Sequence, residues 1–269
     1  MKRYKWITAS LVAWMLASPM AGTATAAQIA LTASVKTSLD KMARSGHTQA
    51  DQVRMRYDEL LALLGQEKEW DASIKSLHAE NQAALTALNK QIKQIDSDKI
   101  APLADSLAQA KERYKPMFAH YTALNKQISE AGKLKNKELS SMLRLQAGTL
   151  KIPVQFARLD IHIKEAALKE AKDAAAKKTK QIRGSLSAID QANARIKASK
   201  NAIKSDEAEA AQALSALKQA SKDGDVSRTS DMLASLVSHS RQITREKQNV
   251  YTEETGISRI VSDAKKQLP

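Results

Sequence analysis

Cysteine does not occur in this chain. That excludes disulfides, a thiolate nucleophile and any metal site built on sulfur. Small exported domains often rely on disulfides, so here helix packing must hold the structure. Aromatic residues are only 4% of the sequence, a composition that suits long, thin helical assemblies better than a globule with one deep core. The eight glycines are spread singly, which leaves no Gly-rich phosphate loop. There is no Gly-x-Ser-x-Gly elbow. The five histidines, His47, His78, His120, His162 and His239, never fall three or four apart, and none has a glutamate three residues before it. The helical metal patterns are therefore missing, and each histidine reads as a scattered surface residue. No cofactor, no metal and no enzymatic activity are expected.

Against these absences stands one strong pattern. Every seventh residue from Val154 to Leu217 is apolar: Val154, Ile161, Leu168, Ala175, Ile182, Ile189, Ile196, Ile203, Ala210, Leu217. Such a column lies on one side of a helix under-wound to about 3.5 residues per turn, the seam of a coiled coil. The second column of the same stretch is weak, reading Glu165, Lys172, Thr179, Leu186, Asn193, Lys200, Glu207, Leu214. On the other flank Ala171, Ser185, Ala192, Ser199, Ala213 and Ala220 are small enough for a neighbour to come close. One seam cannot offset the ordering of about 1–2 kcal/mol per residue, so a partner helix is required.

Residues 1–26 read as a secretory signal peptide, with a retained N-terminal membrane anchor as the alternative. Lys2, Arg3 and Lys5 form a positive start, Trp6 to Ala17 an apolar run too short to span a bilayer, and Ala24-Thr25-Ala26 a small-residue cleavage site. Removing it takes away three positive charges, lowering the formal charge from +14 to +11. The expected location is outside the cytoplasm: extracellular, cell-wall-associated or periplasmic.

The remainder, 27–269, reads as a single coiled-coil region. A short helix over 28–44 precedes long helices near 48–95, 103–147, 154–222 and 228–267. In the first long helix the core spacing, with Arg56, Glu67 and Asn81 as its polar members, alternates three and four from Val53 to Ile95, except at Asn81 to Leu85, where two fours meet in a stutter. Thr48 is the cap expected ahead of it, and Asp96-Ser97-Asp98 reads as a turn. Pro116 falls inside an unbroken heptad and predicts a kinked helix, although an interior proline costs about 3 kcal/mol. Gly148 to Pro153 reads as a break, and Gly224 as a left-handed cap. The last helix carries a strong column, Leu236, Ile243, Val250, Ile257, Ala264, and a weak one, Leu233, Ser240, Lys247, Glu254, Val261.

Turned antiparallel about Gly224, the last two helices align with Leu217 opposite Leu233. Every polar core position then meets an apolar one: Ile203 with Lys247, Ile196 with Glu254, Glu207 with Ile243. Lys200 lies one layer from Glu254 and Glu207 one layer from Lys247, so each buried carboxylate is expected to pair with a lysine. The fold expected is all-α, an elongated antiparallel helical bundle of about five helices.

The binding signal is positive charge. Lys133, Lys135 and Lys137 form one cluster; Lys169, Lys172, Lys177, Lys178, Lys180 and Arg183 form another, diluted by Glu170 and Asp173. Basic faces attract anionic polymers and headgroups. The expected partner is an anionic envelope polymer or membrane surface, or a protein; export makes nucleic acid a poor physiological ligand. A homo-oligomer through the coiled-coil faces is a further expectation. The function expected is a non-enzymatic structural or interaction role at the cell envelope, with an exported chaperone or adaptor as the alternative.

Overall fold

The structure is a computed structural model that describes residues 33–44 and 50–269. The leader reading of 1–26 and the Thr48 cap lie outside those residues. Among the described residues six α-helices follow in order: α1 Ala33–Ala43, α2 Ala50–Lys93, α3 Ser97–Lys133, α4 Lys137–Leu186, α5 Ala188–Asp223 and α6 Val226–Lys265. No strand occurs among the described residues. The all-α helical bundle is therefore what the chain forms. Charge at several helix ends complements the peptide dipoles, with Glu138 opening α4 and Arg183 closing it, and Lys90 and Lys93 closing α2.

The chain divides into two compact units. The first holds α1, α2 to Asn81, α5 from Asp190, and α6 to Ile257. Its apolar cluster joins Val35 and Leu39 of α1, Val53 and Leu60 of α2, Ala210, Ala213 and Leu217 of α5, and Leu233, Leu236 and Val237 of α6. Leu217 and Leu233 thus share one core. Arg195 Nε donates to Glu253 Oε1 at 2.7 Å, one residue from the expected Ile196–Glu254 layer on both helices. Both columns of α6 are buried throughout, including Ser240, Lys247 and Glu254. In α5 the strong column is joined by the small flank: Ala192, Ala213 and Ala220 are buried. The turn between α5 and α6 has Gly224 at φ +72°, where a Cβ would be strained. Asp225 Oδ1 accepts the Arg228 amide at 2.9 Å and opens α6.

The second unit holds α3, α4 and the chain from 258 onward, with α2 after Asn81. Helices α3 and α4 pack on each other. Their link is short. Asn136 N donates to Ala131 O and Lys135 N to Gly132 O, the bond pattern of a Schellman turn. Lys135 takes the left-handed position at φ 55° that glycine would ordinarily fill. Asn136 then caps α4 by accepting the Leu139 amide. Lys111 Nζ lies 2.7 Å from Glu165 across the two antiparallel helices farther along.

Three expectations about helix limits need correction. The helix expected over 103–147 is broken at 134–136 by the turn just described. The break expected at Gly148 to Pro153 is absent, and Pro153 sits inside α4. Proline there loses one backbone hydrogen bond, but Ala147, Val154 and Ala157 are all buried, and keeping that face in register outweighs the loss. The helix expected over 154–222 is interrupted at Ser187. The heptad column passes through this interruption without a slip, since Ile182 and Ile189 on either side are both buried. Pro102 and Pro116 lie within a continuous α3, as the unbroken register requires.

Candidate functional site

Each of the nine cations expected to bind lies in the second unit. Lys133, Lys135 and Lys137 surround the turn between α3 and α4, where the Schellman geometry turns the backbone sharply and leaves all three side chains exposed. Lys169, Lys172, Lys177, Lys178, Lys180 and Arg183 stand on the C-terminal part of α4. The structure does not bring the two clusters together: from 137 to 169 along one helix is about 48 Å at 1.5 Å per residue. Lys178 is half-buried and lies 3.7 Å from Asp96. The other eight are exposed and make no ion pair with a described residue. Glu170 and Asp173, interleaved with them, are exposed too.

The buried charged residues, Glu254 and Lys247, lie elsewhere, in the first unit, and each anchors a rung between α2 and α6. In one, Glu254 is 2% exposed. Asn81 Nδ2 donates to Glu254 Oε2 and to its backbone carbonyl, each at 2.8 Å, and His78 Nδ1 lies 2.7 Å from Glu254 Oε1. In the other, Lys247 Nζ donates to Asp71 Oδ2 at 2.9 Å and lies 3.6 Å from Glu67 Oε2. Burial pushes the Glu67 carboxyl above the ordinary value, with the Lys247 charge opposing it. Burial likewise raises Glu207, again with Lys247 working against the shift.

These rungs correct the expected partners of the core carboxylates. Glu254 is satisfied by His78 and Asn81 of α2, not by Lys200. The carboxylates nearest the Lys247 ammonium are Asp71 and Glu67 of α2; Glu207 feels it only through space. His78 is therefore no scattered surface residue, and neither is His239, whose Nδ1 lies 3.1 Å from Asp206. His120 and His162 are exposed; His47 lies outside the described residues. One sequence signal could have found both rungs: Asn81 and Glu67, one in each, stand at core positions of α2, and polar residues there demand partners.

Chemically, the rungs join helices. Both Glu254 oxygens are occupied by neighbours, and Lys247 is held between carboxylates. Among the described residues no group of three or more His, Asp or Glu is placed to hold a metal ion. A depression on the α3–α4 hairpin is lined by Phe118, Arg158, Ile161, His162 and Glu165, with the Glu165 carboxylate already bound to Lys111. Among the described residues no helix is long and apolar enough to cross a membrane. No protein-family model, curated protein or solved structure matches this chain. The functional reading therefore rests on its own residues.

Proposed function

We propose that the protein is an exported, non-enzymatic helical protein that holds to an anionic surface of the cell envelope, wall polymer or membrane, through the lysines of its α3–α4 hairpin. One observation carries this reading: eight of the nine candidate cations are exposed and make no ion pair with a described residue, on a chain whose formal charge stays at +11 after residues 1–26 are removed. Paired lysines would have little field to offer; free ones attract polyanions at long range, and salt screens the attraction. Co-sedimentation with purified cell envelope tests it. Binding at low salt that is lost at high salt, and weakened by Lys177→Glu, Lys178→Glu and Lys180→Glu together, is the expected result. Equal sedimentation of that triple variant and the parent would refute it.

An exported adaptor or chaperone that grips client proteins is a second reading. It is favoured by the apolar outer face of α4, where Leu145, Ile152 and Phe156 are exposed.

A further inference from the structure

Helix α4 carries two seams. The row Leu150, Val154, Ala157 and Ile161 is buried or half-buried, on the face that packs against α3. A second row lies on the opposite side: Met142, Leu145, Ile152, Phe156, Leu159 and Ile163, between 53% and 73% exposed. With Thr149 in the single remaining step and Ala166 at the end, its spacing alternates three and four for more than three heptads. That strict alternation is the mark of a helix seam. A lipid surface rewards a broader apolar arc, usually rich in aromatic residues, and Phe156 is the single aromatic here.

We infer that this row is the seam of a homodimer, in which α4 of a second copy lies antiparallel across it about residue 154. The row is bounded by charge at both ends. Beyond Met142 the next seam positions are Glu138 and Lys135; beyond Ala166 they are Glu170 and Asp173. Only a register that lays one row fully over another keeps those charges out of the apolar layers. The antiparallel choice pairs Ile152 with Phe156, Leu145 with Ile163, Thr149 with Leu159 and Met142 with Ala166. Lys135 then opposes Asp173, and Lys137 and Lys169 flank the layer of Glu138 and Glu170. A parallel pair would instead stack Phe156 on itself and bring the two lysine-rich turns together. The row offers on the order of 600 Å² per copy, the upper end of the largest patch on a typical monomer, hence about 1,200 Å² for the pair, the lower limit of a stable specific interface.

The inference does not rest on the lysine contact, because its test leaves all nine cations in place. Sedimentation equilibrium of the full chain should give twice the single-chain mass. Replacing Ile152→Asp together with Phe156→Asp should raise the dissociation constant about a hundredfold or more, with helicity unchanged, since both side chains are exposed in the single chain. The absence of native cysteine permits a direct register test with a short thiol–thiol cross-linker. Gln155→Cys, beside the two-fold axis, should link to itself. Leu145→Cys should not, but should link when mixed with Ile163→Cys. A monomeric chain, a dimer indifferent to the paired aspartates, or self-linking of Leu145→Cys would overturn the proposal. So would a monomer that uses this row to bind lipid vesicles.

Discussion

Helices α6 and α4 solve the same problem differently. Each carries two columns of core-register residues. In α6 both columns are buried, and the weaker one includes Ser240, Lys247 and Glu254. In α4 one column is buried while the other, apolar almost throughout, stands in water. The helix with charged residues in its core register is the enclosed one; the helix whose second row is apolar except at Thr149 is open. Apolar content alone does not decide what a helix buries. What decides it is whether neighbours arrive with complementary groups. Helix α2 brings His78, Asn81, Glu67 and Asp71 to α6, and no described helix covers the second row of α4.

The contrast can be sharpened by truncating one residue in each region. Leu217→Ala, in the closed cluster, should lower unfolding free energy by about 2–5 kcal/mol. Ile152→Ala, in the open row, should change single-chain stability by no more than about 0.5 kcal/mol. Denaturant unfolding followed by circular dichroism at low protein concentration compares them. Equal losses would show that the α4 row is not free in the single chain.

A middle-sized effect is expected at the rungs. Asn81→Ala leaves Glu254 with only His78 and should cost about 1–3 kcal/mol. An unchanged denaturation midpoint would mean that Glu254 is not held as described.

The smallest effect depends on pH. Burial raises the Glu207 carboxyl, so the folded chain holds that proton more tightly than the unfolded chain does. The ionised group therefore costs stability above its raised value, and the cost fades as pH falls toward the ordinary carboxylate range. Because Glu207 is still largely solvated, Glu207→Gln should stabilise by only about 0.3–0.5 kcal/mol at neutral pH. The gain should vanish in acid. A gain that persists below the ordinary carboxylate range would point to side-chain packing instead.

Much of this architecture could be read from residue spacing. The column from Val154 to Leu217 contains no exposed member, and Gly224 does take the left-handed position. Two things could not be read that way. The partners of Glu254 and Lys247 lie on α2, more than 170 residues away, and spacing within one helix carries no information about which distant helix arrives. The turn at 134–136 places Lys135 where glycine is the usual marker, so the strongest cue to a reversal was absent. The open row of α4 is a different case. Leu145, Ile152 and Leu159 repeat at seven as plainly as the buried column, and following a single seam per helix conceals them. Of the candidate site, the lysines were visible, but not that two clusters would fall so far apart on one hairpin.

Ser187 carries a consequence of its own. It ends α4 with its amide and its hydroxyl both directed to Gly184 O, at 3.3 Å and 2.7 Å. The backbone ladder pauses for one residue while the side-chain seam, Ile182 to Ile189, continues. Hydrogen-bonded backbone stiffness and side-chain packing are thereby uncoupled at one point. The amide protons there can trade with solvent through a small local opening, without the isoleucines on either side leaving their neighbours.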